Sequence, residues 1–163
     1  MPWLRFASAV VLALWIGGLV TLALAAPVVF DVLETRDPAN GRSLAGFVVG
    51  TLVERGQWLA WWLGGGAIAL LALRAVIGPR PRRLAIRIWT VAAMLALTVA
   101  AGRFITPRVA EIRDTAGGRV TALAESDPRR IEFNRLHGLS SAVMLVTILA
   151  AAGLLYAEVR DGS

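Results

Sequence analysis

"FASAVVLALWIGGLVTLALAAPVVF" occupies residues 6–30 and contains no charged side chain. An α-helix rises about 1.5 Å per residue, so a bilayer core of about 30 Å takes roughly 20 residues to cross. A helix lying on a water-soluble core would carry an apolar stripe and a polar back. This run is apolar all round, which identifies lipid as its solvent. Its length also exceeds the roughly 7–15 apolar residues of a signal peptide, although Ala23-Leu24-Ala25 resembles a cleavage site. Three more charge-free runs follow, over residues 56–73, 88–102 and 138–157. The runs at 6–30 and 138–157 reach a full crossing unaided. The other two reach it if Arg74, Arg87 and Arg103 at their ends extend to the headgroups.

The expected fold is therefore all-α. One integral membrane domain over residues 1–163 forms a four-transmembrane-helix bundle, with spans about 4–33, 56–78, 84–106 and 136–158. The composition agrees, at 57% hydrophobic residues and a mean hydropathy of +0.67. No cysteine is present, and all 17 basic residues are arginine. Disulfides, thiolate chemistry and cysteine metal sites are excluded, as are Schiff-base chemistry and a P-loop lysine. A net charge of +6 could suggest nucleic acid. The arginines border the apolar runs, however, so membrane lipids with anionic headgroups are the expected partners, and nucleic acid is not.

The connections are equally patterned. Pro27 lies in the last turns of the first span and is expected to kink or end it. In "ETRDPANGR", Asp37 suits a helix N-cap and Pro38 a first helical position. Leu44, Phe47, Val48, Thr51 and Leu52 then recur at helical spacing. They predict a short amphipathic helix in the first loop, closed by Glu54 and Arg55. Trp58, Trp61 and Trp62 mark an interface. Gly17, Gly18, Gly64, Gly65 and Gly66 permit close helix approach, and Ala92, Ala96 and Ala100 form a small-residue contact stripe. Pro107 marks the exit of the third span. After a Gly117-Gly118 break, Asp127-Pro128 caps a helical extension that runs through His137 into the last span. The 79–87 connection holds four arginines and no acid, which predicts cytoplasmic termini and places 34–55 and 107–137 outside. Each half reads span, proline, loop, Asp-Pro cap and span, a hint of parallel duplication.

On this topology Glu54, Arg55, Arg103, Arg108, Glu132, Arg135 and His137 share the extracytoplasmic mouth. Two readings are open. They form a buried polar cluster that handles an ion or a proton, or they are interfacial charges that pair and snorkel, with His137 a polar anchor. One histidine without cysteine cannot close a zinc or copper site, so no metal and no cofactor is expected. Met94 and Met144 read as packing. Ser140 and Ser141 read as interhelical hydrogen-bond formers, and no Ser-His-Asp set is evident.

Four stretches carry a family resemblance: "ALWIGGLVTLALAAPVVFDVL" in the first span, "AGFVVGTLVER" before the second, "RFITPRVAEIRD" leaving the third and "FNRLHGLSSAV" opening the fourth. Together they resemble the TMEM205-like family (domain of unknown function 4149). "LWIGG" is also similar to the opening of copper-resistance-D-like membrane proteins, from which the chain departs by lacking their extra histidines and methionines. The resemblance implies a four-span helical protein with no established enzymatic activity, and Pro27, Arg103, Pro107 and His137 as the matching positions. The expected function is non-catalytic: action through other membrane protein subunits in the inner (plasma) membrane, as an accessory subunit. The alternative is transport or handling of an ion, copper-like, or of a small solute through the polar mouth.

Overall fold

In the computed structural model, which describes residues 2–77 and 81–160, the chain is helical almost throughout. Helix α1 spans Pro2–Arg36, α2 Gly41–Ile77, α3 Leu84–Ala100, α4 Thr106–Thr115 and α5 Pro128–Arg160. A π-helical turn, Ala101–Ile105, joins α3 to α4 without interruption, and a 3₁₀ turn, Val120–Ala122, lies in the last connection. Four helical units are long and apolar enough to cross a membrane, at 34, 37, 32 and 33 residues. No strand occurs among the described residues.

Each crossing helix packs against two neighbours, giving the closed order α1, α2, α3, α5. The core is a column of Leu12, Trp15, Ala60, Ala67, Leu71, Val91, Met94, Ala151 and Leu154. Trp15 fills its centre at 1% exposure. It fits because Gly64 faces it: a methyl group there would lie 3.0 Å from Trp15 Cη2 and 2.9 Å from Leu95 Cδ1.

The helices run further than the charge-free runs. Pro27 does not end α1, which continues to Arg36. A proline deletes one backbone donor, a loss that membrane helices absorb, and the turns beyond it still pack on α2. There, any side chain at Gly41 would collide with the Leu33 carbonyl. Nor does the segment before Gly56 form a helix of its own. Residues 41–55 are the first part of a continuous α2; Glu54 and Arg55 are good helix formers, and no proline interrupts them. Its expected apolar side faces outward, with Leu44, Phe47 and Leu52 exposed and Ala45 buried in their place. Asp37 caps the turn ahead of α2, its Oδ1 accepting the Ala39 and Asn40 amides at 3.1 Å each.

Pro107 does not mark an exit either. The Thr106 amide bonds back to the Ala101 carbonyl, five residues away, so the helix widens by one residue and carries on as α4. The turn absorbs the missing donor of Pro107 into a single register shift. Helix α4 stops at Gly117 and Gly118, which adopt φ values of 59° and 78° in the left-handed region. At Gly118 the wall of Ser43 also leaves no space for a side chain. Asp127 then caps α5, its Oδ1 accepting the Arg129 amide at 2.8 Å, with Pro128 the first helical residue. The Arg129 guanidinium beside it holds the Asp127 carboxyl below the usual carboxylate range.

Candidate functional site: a buried ion cluster at one end of the bundle

The ends of four helices meet where α2 finishes and α3 begins, and there the chain buries charge. Glu158 sits on the last turn of α5 at 5% exposure, with Arg74 of α2 at 4% and Arg87 of α3 at 5%. One Nη of Arg74 donates to both oxygens of the Glu158 carboxylate, at 2.7 and 2.8 Å. Arg87 donates to Oε1 at 2.6 Å and to the Ala157 carbonyl at 3.3 Å. Arg5 of α1 completes the set by donating to the Glu158 backbone carbonyl at 3.1 Å. Every crossing helix thus contributes one member.

Burying an ion costs several kcal/mol, and direct charge-assisted hydrogen bonds offset that cost. The α5 carbonyls are the negative end of that helix, which adds to the attraction for Arg5 and Arg87. A small, mainly apolar cavity of about 10 Å³ adjoins the cluster, lined by Leu12, Ala67, Leu71, Val91 and Leu154 together with Ser8, Arg87 and Glu158. That is room for about one water. Ser8 is itself engaged, its hydroxyl donating to the Leu4 carbonyl at 2.9 Å.

The extracytoplasmic group read from the sequence takes a different form. Glu54, Arg55, Arg103, Arg108, Arg135 and His137 are all exposed. Only Arg108 and Glu132 come together, at 2.7 and 2.9 Å, with Glu111 joining at 2.8 Å. His137 stacks on Phe133 one turn earlier, with ring centroids 6.2 Å apart. The two lie on one helix face and are open to the surroundings. The cluster at this mouth is therefore a surface ladder and not a buried site. Its charges project from the outer faces of separate helices, where nothing forces them to converge. Among the described residues no three histidine, aspartate or glutamate side chains gather as metal ligands would.

The small-residue positions also divide. Gly64 lies at a helix contact, whereas nothing approaches Gly17, Gly18, Gly65 or Gly66 within 4 Å. Ala96 and Ala100 are exposed and Ala92 half-buried. The face that α3 turns inward carries Arg87, Val91, Met94 and Thr98. A spacing of four does not say which side of a helix meets its neighbour, and the larger side chains bury more apolar area.

Arg5, Arg74, Arg87 and Glu158 were not among the expected site residues; Arg74 and Arg87 were read as reaching the headgroups. The signal was present in the sequence. All four charge-free runs are bounded at this end by a charge, three positive and one negative. Arg113 was missed as well. It donates to the Gly46 carbonyl, and Gly50 lies under its guanidinium, where a methyl group would come 2.9 Å from Nη1. Gly46 and Gly50 in "AGFVVG" thus form a seat that ties α4 to α2.

These features define the class: a four-span all-helical membrane protein whose internal charge is gathered at one end. Residues 10–117 match the model of a domain of unknown function, DUF4149, and the chain belongs to that family. The matched region includes Arg74 and Arg87 but stops short of Glu158. No curated protein and no solved structure matches the chain.

Proposed function

We propose that this protein is a non-catalytic membrane subunit that acts through lateral contacts with partner membrane proteins, as an accessory component of a larger complex. Within its family it reads as TMEM205-like. Its membrane is the inner (plasma) membrane, and the Arg74–Glu158 end, with both termini, faces the cytoplasm.

One observation carries this reading. The inside of the bundle is spent on itself: its buried ions pair with one another, and the adjoining cavity, at about 10 Å³, is too small for a solute. The outside supports the same view. Gly17, Gly18, Ala96 and Ala100 are open on helix faces, where small residues let a neighbouring helix approach closely.

Native co-purification in mild detergent with mass spectrometry tests the proposal. Larger membrane proteins are expected at fixed stoichiometry, and Gly17→Leu or Ala96→Leu should lower their recovery while the protein itself still accumulates. Purification alone or as a homo-oligomer, with ion or solute flux in liposomes, would replace this reading with the transport one. In that event Glu158→Gln, and not His137→Ala, is expected to abolish flux.

A further inference from the structure

The periodic stretch before Gly56 has no role inside the bundle. On α2, Leu44, Phe47, Thr51, Arg55, Trp58 and Trp62 follow one another three or four residues apart, so they share one helix face. The buried side of α2 carries Ala45, Ala60, Gly64, Ala67 and Leu71 instead. Leu44 is 48% exposed, Phe47 66%, Trp58 55% and Trp62 77%, and Thr51 and Arg55 are exposed as well.

Lipid covers only part of this face. Arg74 to Glu54 is 74 − 54 = 20 residues, a full hydrocarbon slab of about 30 Å. Trp58 and Trp62 lie within it. Phe47 lies 54 − 47 = 7 residues past Glu54 and Leu44 lies 54 − 44 = 10, about 10 and 15 Å along the helix. A headgroup layer is about 5–8 Å deep. Both side chains therefore stand in water, where neighbouring large apolar groups mark a contact surface.

The charge on the face fixes the chemistry of what covers it. Arg55 sits at the hydrocarbon edge and has no hydrogen-bond or ion-pair partner among the described residues. A second copy of the chain, packed on this face about a twofold axis along the membrane normal, would set Arg55 against Arg55. A helix with an acid at that height would pair with it. We infer that the outward face of α2 docks one helix of a partner membrane protein. That helix crosses the bilayer beside Trp58 and Trp62, presents an aspartate or glutamate to Arg55, and leaves the membrane with apolar residues on Leu44 and Phe47. The inference rests on the reading of this protein as an accessory subunit, and adds which surface is used and what it selects.

Photocrosslinking of the full chain in native membranes, with benzoylphenylalanine in place of Leu44, Phe47 or Trp62, tests it. Ile131 on α5, exposed at 56%, is the control position. The three α2 positions should reach one and the same membrane protein, on one helix and its flank outside the bilayer, and the α5 position should not. Arg55→Glu, which sets like charges together, should lower the yield by roughly tenfold, and changing the acid found opposite it to arginine should restore it. Crosslinks to lipid or to a second copy alone, equal labelling from the α5 position, or a yield indifferent to Arg55→Glu would overturn the inference. Partners that co-purify but are reached only from other faces would overturn it and leave the accessory role standing. A protein that purifies alone would end both.

Discussion

Replacing Glu158 by glutamine tests the ion cluster most directly. The side chain keeps its shape and one acceptor oxygen but loses the charge that Arg74 and Arg87 share. Three charge-assisted hydrogen bonds of 2.6 to 2.8 Å converge on this carboxylate. It is 5% exposed, as is Arg87, and Arg74 is 4% exposed. Removing one partner from a buried ion pair costs about 3–5 kcal/mol. The cluster lies at the end of the bundle, where headgroups and water lie close, and the amide keeps part of the bonding. The lower end applies, so Glu158→Gln is expected to destabilise by about 3 kcal/mol. At about 1.4 kcal/mol per factor of ten, that is a roughly hundredfold shift in the unfolding equilibrium.

Reversible unfolding in mixed micelles of rising SDS fraction, followed by tryptophan fluorescence and circular dichroism, measures it. A companion variant isolates the cause. Glu158→Leu with Arg74→Met and Arg87→Met removes all three charges together and should recover most of the loss, because an apolar cluster of similar volume costs nothing to desolvate. If Glu158→Gln unfolds within 0.5 kcal/mol of the parent protein, or the triple variant is worse than the single one, the cluster is not the clasp described here.

The remaining predictions concern packing, capping and the outer mouth. Gly64→Ala should cost about 1–3 kcal/mol in the same assay, since its methyl would press on the fully buried Trp15. Gly17→Ala and Gly18→Ala, with open space around them, should be neutral or gain about 0.5–1 kcal/mol of helix propensity. The capping contribution of Asp127 should be complete above its ordinary value of about 3.9 and fade as pH falls through its lower folded-state value. Asp127→Asn keeps a cap but should flatten that dependence, as read by hydrogen exchange at the amides of residues 129–131. His137→Ala should move the SDS midpoint by less than about 0.5 kcal/mol, as an exposed substitution does; a larger loss would return His137 to the interior.

The number of crossings and the helical class were legible because lipid imposes a crude and unforgiving pattern. A charge-free stretch of the right length has few other uses. Asp127-Pro128 was legible for a local reason, since a cap is chemistry within four residues. The π-turn was not, because Pro107 alone admits a stop, a kink or a widened register, and the packed surroundings of this turn include Gln57, which donates to Thr106 from forty-nine residues earlier in the chain. The ion cluster was half legible. That charges bound the runs is visible in the sequence. That they turn inward depends on whether a guanidinium finds a carboxylate nearer than a headgroup, which is a property of the assembled bundle. The outer mouth misled for the converse reason: residues at one height need not share a side.

Helix α2 is 37 residues long, about 55 Å at 1.5 Å per residue, against a hydrocarbon slab of about 30 Å. From Arg74 to Glu54 is 74 − 54 = 20 residues, which spends the slab almost completely. What lies before Glu54 is a rigid mast, braced by α1 and guyed through Arg113. With the slab set between Arg74 and Glu54, the tight turn at its top, residues 37–40, lies outside the hydrocarbon. An epitope or fluorophore inserted there would be held at a fixed height, readable from one face of an intact cell or vesicle.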